Sequence, residues 1–228
     1  MIAASRSEEV RSCFVNSSIR LRSAVSIARR LQDPLAELVK IDPKAIGVGQ
    51  YQHDMPQKEL DASLNAVVED CVNAVGVDLN TASPSLLTRV AGLNGTIAKN
   101  IVAFREENGV FTTRRQLLKV AKLGPKAFEQ CAGFLRVPES KNPLDRTGVH
   151  PESYKAAEAL LSLCGFRPED AAAGRLAELR ERAETLGLSA LAEKLGLGVP
   201  TLSDIIGELM RPGRDVRDEL PPPLLRTD

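Results

Sequence analysis

Apolar residues recur at intervals of three and four in several blocks of this chain, the spacing of one face of an α-helix. Between residues 19 and 39, Leu21, Ala24, Val25, Ala28, Leu31, Leu35 and Leu38 form such a face, and Pro34 is expected to kink or interrupt it. A second face, made of Leu60, Leu64, Val67, Val68, Cys71, Val72 and Val75, predicts a helix over 58–75 that stops at Gly76. Ser83 before Pro84 announces another start, as N-cap and first helical residue. Helices are then predicted over 96–107, 115–120 and 126–135. Later ones span 151–164, 167–186 and 189–195, closed by Gly165, Gly187 and Gly196, and a last one spans 201–210. In that last helix Thr201 and Asp204 have the spacing of a capping box. Strand-like alternation is scarce, so the fold class is mainly α.

One pattern occurs twice within this frame. Val90-Ala91-Gly92-Leu93-Asn94-Gly95-Thr96-Ile97-Ala98 and Val120-Ala121-Lys122-Leu123-Gly124-Pro125-Lys126-Ala127-Phe128 both read as helix, tight glycine hairpin, helix. An apolar residue inside each hairpin, Leu93 or Leu123, can plug the space between two helices, while small residues outside let the backbone approach a ligand closely. Free N–H groups at the start of the second helix, together with its dipole, favour an anion such as phosphate. Such a device grips a nucleic-acid backbone without reading bases. The binding residues expected on this basis are Gly92, Leu93, Asn94, Gly95, Thr96, Lys99, Lys122, Gly124 and Lys126. Asn94 stands where a second glycine would be most comfortable and is expected to tolerate a left-handed conformation. Lys122 replaces the first glycine of the other copy, which either adds a phosphate contact or blocks close approach. The competing reading is a pair of turns that merely pack.

Charge sharpens this picture. Lys plus Arg and Asp plus Glu both number 30, and a formal charge of zero by itself argues against a nucleic-acid partner. The distribution does not: residues 76–137 carry 9 basic and 4 acidic side chains, a local net of +5, against −1 for residues 1–75 and −4 for residues 138–228. The excess coincides with the hairpins, as an electrostatic footprint should.

Other chemistry is thin. Cys13, Cys71, Cys131 and Cys164 are far apart, which favours buried reduced thiols over a metal site or disulfides. Asp33, Asp42, Asp54 and His53 share no face that would hold two metal ions and are expected to serve as caps and turn bonds. His150 reads as a loop residue, and Arg29, Arg30 and the charges of 175–184 as solvated helix faces. No glycine-rich phosphate loop, nucleophile elbow or zinc spacing appears, so no cofactor, metal or catalysis is expected. No apolar run approaches the ~20 residues of a membrane span, and a secretory signal is not apparent; the cytoplasm and a monomeric state are expected.

Three stretches carry a family resemblance. Ser26-Ile27-Ala28-Arg29-Arg30-Leu31-Gln32-Asp33-Pro34-Leu35-Ala36-Glu37-Leu38-Val39-Lys40-Ile41-Asp42-Pro43 with Gly47-Val48-Gly49-Gln50-Tyr51-Gln52-His53-Asp54 resembles the end of the RNase H-like, YqgF-type domain of the Tex family of bacterial transcription accessory proteins. The tandem hairpins are similar to the ComEA-like helix-hairpin-helix domain that follows it there. Val149-His150-Pro151-Glu152-Ser153-Tyr154 and Pro200-Thr201-Leu202-Ser203-Asp204-Ile205-Ile206 with Pro212-Gly213-Arg214-Asp215 resemble the helical segment beyond. The expected organisation is a poorly ordered or non-native start over 1–20, unlike the family, and a remnant helix with a linking helix over 21–75. The tandem hairpin domain covers 76–137, a linker 138–150, a helical domain 151–212 and a tail 213–228.

The resemblance implies a fragment lacking the family's S1 domain and most of its RNase H-like domain, with a role in transcription. The expected function is sequence-independent binding of RNA or DNA backbone within a transcription accessory factor. The alternative is a scaffold docking RNA polymerase or other domains, suggested by the acidic, all-helical residues 138–228.

Overall fold

A computed structural model describes residues 19–21, 23–31 and 34–210. Most of the expected 1–20 start, Asp33, Cys13 and the tail beyond Met210 lie outside the described residues. The chain divides into two compact units, residues 1–64 and 65–228, and the division falls within the long helix α3, Gln57–Val75.

In the first unit, residues 19–21 and 23–31 are helical, and helix α1 covers Pro34–Leu38. The buried Glu37 accepts from Ser26 Oγ at 2.7 Å and Lys40 Nζ at 2.6 Å, joining the two helical pieces. Asp42 caps α2, Pro43–Ile46, by accepting from the Lys44 N–H, the structural duty expected of it. The apolar face expected between 19 and 39 stays largely uncovered: Leu21, Val25, Leu31 and Leu38 are all exposed.

The second unit contains the hairpins. Helix α3 stops at Gly76, whose φ of +79° suits glycine. The chain then forms β1, Val77–Asp78, paired in parallel with β2, Leu135–Arg136, in the register Val77 with Leu135. This ladder clasps the beginning and end of the hairpin pair. It also corrects the helix predicted over 126–135, because α6, Pro125–Cys131, ends early to let the chain turn into β2. Between them lie α4, Pro84–Leu87, capped by Ser83 as expected, and α5, Gly95–Asn108. The helix predicted over 115–120 is a 3-10 helix, Arg114–Lys119. Gln116 Oε1 closes its start by accepting from the N–H groups of Thr112 and Thr113.

The segment 138–150, expected as a linker, is packed. It carries a 3-10 turn, Pro143–Arg146, and ends at His150, the cap of a second, Pro151–Ser153; its Ser140, Leu144, Asp145, Thr147 and Val149 are buried. The organising group is the buried guanidinium of Arg114. It donates through Nε to the Leu135 carbonyl at 2.6 Å, through one terminal nitrogen to the Val149 carbonyl at 2.6 Å and Tyr154 Oη at 2.9 Å, and through the other to the Thr147 carbonyl. Tyr154 Oη in turn donates to Asp145 at 2.6 Å, and Asp145 also accepts from Ser140 Oγ at 2.7 Å. Burial pushes the Arg114 pKa down, against the opposing pull of Tyr154, Asp145 and Glu208. A buried cation survives only when every donor is used and an anion stands near.

Beyond it lie α7, Tyr154–Leu163, α8, Pro168–Ala172, α9, Leu179–Leu186, α10, Leu188–Leu195, and α11, Val199–Met210. Leu160, Leu161, Leu176, Leu179, Leu202 and Leu209 are central to their shared core. The single helix predicted over 167–186 is broken into α8 and α9 around Gly174, at φ +66°. Helix α11 starts two residues ahead of Thr201, with the Gly198 carbonyl accepting from Leu202 N–H, so Thr201 is not its cap. Arg182 is more than a solvated charge: it donates to the Cys164 carbonyl and lies 4.6 Å from the Phe166 ring centroid.

Candidate nucleic-acid interface

The duplication seen in the sequence is a duplication of geometry. In the first hairpin Gly92 takes φ +78°, Leu93 is buried, and Leu93 N–H donates to the Val90 carbonyl at 3.1 Å. In the second, Lys122 takes φ +65°, Leu123 is buried, and Leu123 N–H donates to the Val120 carbonyl at 3.1 Å. The next residue, Asn94 or Gly124, is extended and opens α5 or α6. The leucines therefore plug the core, as their position predicts, and the residues around them stay exposed.

The offset between copies is thirty residues, Val90 matching Val120 and Asn100 matching Gln130. These last two sit against the opposite hairpin. Asn100 Nδ2 donates to the Ala121 carbonyl at 2.7 Å. Gln130 packs against Gly92, where an added Cβ would stand 2.6 Å from Gln130 Cβ. Near-reciprocal contacts of this kind are the mark of a two-fold relation, here between two halves of one chain.

The glycines consequently have different jobs. Gly92 is needed for its left-handed conformation and for close packing on α6. Gly95 and Gly124 face open space: a Cβ on Gly95 would meet only Thr88 Cγ2 at 3.9 Å, and one on Gly124 nothing within 4 Å. Those are the positions where a ligand backbone can come close.

The expectation for Asn94 is corrected. It is extended, at φ −110° and ψ 171°, and its side chain caps α5 by accepting from Thr96 N–H at 3.0 Å and Ile97 N–H at 2.9 Å. Two of the amides expected to be free for an anion are thus occupied. In the second hairpin Gly124 has no side chain to cap with, and Pro125 has no N–H. Helix α6 is only seven residues long, so lysines rather than a helix dipole supply most of the positive field there.

The charge footprint also contracts. Of the nine bases counted over 76–137, Arg114 is buried in its network, Arg105 donates to the carbonyls of Leu79 and Ala82, and Arg89 donates to Asn65 at 2.6 Å. Arg136 is half-buried in β2, and Lys99, Arg115, Lys119, Lys122 and Lys126 remain exposed. Among the described residues no group of three or more His, Cys, Asp or Glu side chains could hold a metal ion. No helix among them is long and apolar enough to cross a membrane. Cys131 and Cys164 are buried thiols, whereas Cys71 is exposed.

Two further turns escaped the sequence reading. Gly165-Phe166-Arg167-Pro168 and Gly196-Leu197-Gly198-Val199-Pro200 repeat the order of left-handed residue, apolar plug, helix start and early proline, with φ +78° at Gly165 and +67° at Gly196. In the sequence Gly165 and Gly196 signal helix stops, and the apolar residue that follows each is what marks the turn. The third turn differs in its electrostatics, since Glu169 and Asp170 occupy the first turn of α8.

Such repeated turns, each fastening two helices through an apolar plug, define a protein built from helix-hairpin-helix domains. Family models agree: a helix-hairpin-helix motif matches residues 72–136, and an HHH domain matches residues 142–217. The chain is 57% identical over 204 residues to the transcriptional accessory protein Tex of Neisseria gonorrhoeae, covering 90% of this chain and 26% of that protein. It is 56% identical over 224 residues to YdcI of Bacillus subtilis, an uncharacterized protein, covering 98% and 31%. It is 42% identical over 241 residues to human S1 RNA-binding domain-containing protein 1, covering 84% and 24%. The chain belongs to the Tex family and spans about a quarter to a third of the length of these relatives. The match to YdcI takes in 98% of the chain, so it reaches into the first twenty residues, which the sequence reading had set apart.

Proposed function

We propose that this chain is a sequence-independent nucleic-acid-binding segment of a transcription accessory factor and that the paired hairpins at 90–96 and 120–126 are its contact surface. The observation that carries this reading is the pair of matching turns, each with a buried leucine behind it and open backbone in front, at Gly95 and Gly124. Lys99, Lys122 and Lys126 are exposed beside them, and contacts from such groups fix backbone position without reading sequence. The family of relatives supports the setting in transcription, and the role is binding rather than catalysis.

Fluorescence anisotropy of labelled single-stranded RNA, single-stranded DNA and duplex DNA, each at several salt concentrations, tests it. The expected affinity is weak, with Kd on the order of 10⁻⁴ to 10⁻⁶ M at physiological salt and a steep salt dependence. Lys99→Glu combined with Lys126→Glu is expected to weaken binding to all sequences alike; unchanged affinity would remove the hairpins from the contact surface. A second reading, a scaffold for RNA polymerase or other domains, draws on the exposed apolar row of Leu21, Val25, Leu31 and Leu38. Failure to capture any polymerase component at low salt counts against that scaffold.

A further inference from the structure

The two hairpins share a backbone but not a charge. At the thirty-residue offset Lys126 corresponds to Thr96, Lys122 to Gly92 and Arg115 to Ser85, while Lys99 corresponds to the acidic Glu129. Lys119 matches Arg89, which is engaged with Asn65. Four exposed bases, Arg115 and Lys119 on the 3-10 helix leading into the second hairpin and Lys122 and Lys126 on the hairpin itself, therefore stand against Lys99 just after the first.

Lys122 adds an independent observation. Among the described residues it is the one non-glycine residue at positive φ, and glycine stands at the matching place in the turns at 92, 165 and 196. A left-handed lysine is strained where glycine would not be, and strain kept at an exposed tip points to use. The first hairpin is arranged the other way: Gly92, though exposed, packs so closely beside Gln130 that it has no room for a side chain, and Asn94 occupies two of its amides.

We infer that the second hairpin is the principal phosphate-gripping element, with Lys122 its leading contact and Arg115, Lys119 and Lys126 its supporting cations. The first hairpin is chiefly its packing partner. This rests on the proposed nucleic-acid binding and narrows it to one side of the two-fold pair, so that the ligand is a single run of phosphodiester backbone.

The test compares the unaltered chain with Lys122→Gly, Lys126→Gln and Lys99→Gln, using a labelled oligonucleotide as single strand and as duplex over a range of salt. Lys122→Gly removes the cation while relaxing the backbone, so its thermal midpoint should hold or rise and a loss of binding cannot be blamed on unfolding. On duplex, the loss of one phosphate contact should flatten the log–log salt slope by about 0.9 and lower affinity on the order of eightfold at about 0.1 M salt. Lys126→Gln should act in the same direction and Lys99→Gln should change little. Equal losses from Lys99→Gln and Lys122→Gly, or a Lys122→Gly protein that binds like the unaltered chain, would overturn the inference while leaving hairpin binding standing. An unaltered chain with no salt-dependent binding would overturn both.

Discussion

Arg114 and Tyr154, forty residues apart, are joined by a 2.9 Å hydrogen bond from guanidinium to phenol oxygen. Arg114 opens the 3-10 helix leading into the second hairpin, and Tyr154 opens α7 of the following helical array. The bond thus ties the first helix-hairpin-helix domain to the second through the interior, with residues 138–150 folded between them as part of the core. Glu208 of α11 lies over the same segment, since a Cβ on Gly148 would collide with its carboxylate.

Replacing Arg114 should be severe. In Arg114→Met the carbonyls of Leu135, Thr147 and Val149 lose their donor and Asp145 loses its nearby cation, so a loss of about 3–5 kcal/mol is expected, as for breaking a buried pair. Arg114→Lys should recover little, because an ammonium cannot reproduce the planar fork that serves separate acceptors. Urea unfolding would check this, with the midpoint falling in both variants.

The buried thiol of Cys131 sets a pH dependence. Burial pushes it from 9.0 up to about 12, and burial also raises the Tyr154 phenol above its ordinary 10.0. Both groups hold their protons more tightly folded than unfolded, so above pH 9 the unfolded chain binds fewer protons and stability falls as pH rises. The Cys131 contribution is complete below about pH 9 and disappears towards about pH 12; the Tyr154 contribution starts to go above pH 10. Unfolding midpoints taken between these limits should decline, and Cys131→Ala should flatten the first part of the decline.

Local chemistry explains which features could be read from the sequence. The hairpins, the Ser83 cap and the stops at Gly76 and Gly196 were legible because each is decided within a few residues. The packed state of 138–150 was not. Its Pro, Asn and Gly content suits a loop, and the partner that buries it, Arg114, is 31 residues before Asp145. For the same reason the burial of Arg114 leaves no trace in the sequence, since a lone arginine gives no sign of a pocket built by distant carbonyls. The β1–β2 ladder, two residues per strand, is too short to leave an alternation.

Asn94 shows how a locally valid inference can select the wrong role. Asparagine suits both left-handed turns and helix caps, and the left-handed place was already taken two residues earlier by Gly92. Asn94→Ala should therefore cost about 1 kcal/mol through the lost cap, and Asn94→Gly only a few tenths. Because Asn94→Gly frees the Thr96 and Ile97 amides, its nucleic-acid affinity should equal or exceed that of the unaltered chain. Thermal unfolding and anisotropy on the same samples would separate the two effects.

Gly92 and Gly124 offer the sharpest contrast between packing and binding. Gly92→Ala forces a Cβ into the left-handed region, at about 1–2 kcal/mol, and sets it 2.6 Å from Gln130 Cβ, so α6 must also shift. Gly124 is extended at φ −83° and ψ 174°, a conformation alanine adopts freely, with nothing within 4 Å of the added methyl. Gly124→Ala should leave stability unchanged or raise it by about 0.4–1 kcal/mol. The same methyl would project from the open face of the second hairpin and hold a phosphate backbone away. Gly92→Ala is thus expected to lower the unfolding midpoint, and Gly124→Ala to lower affinity with the midpoint intact; a Gly124→Ala protein that binds normally would mean that the open backbone there is not a contact.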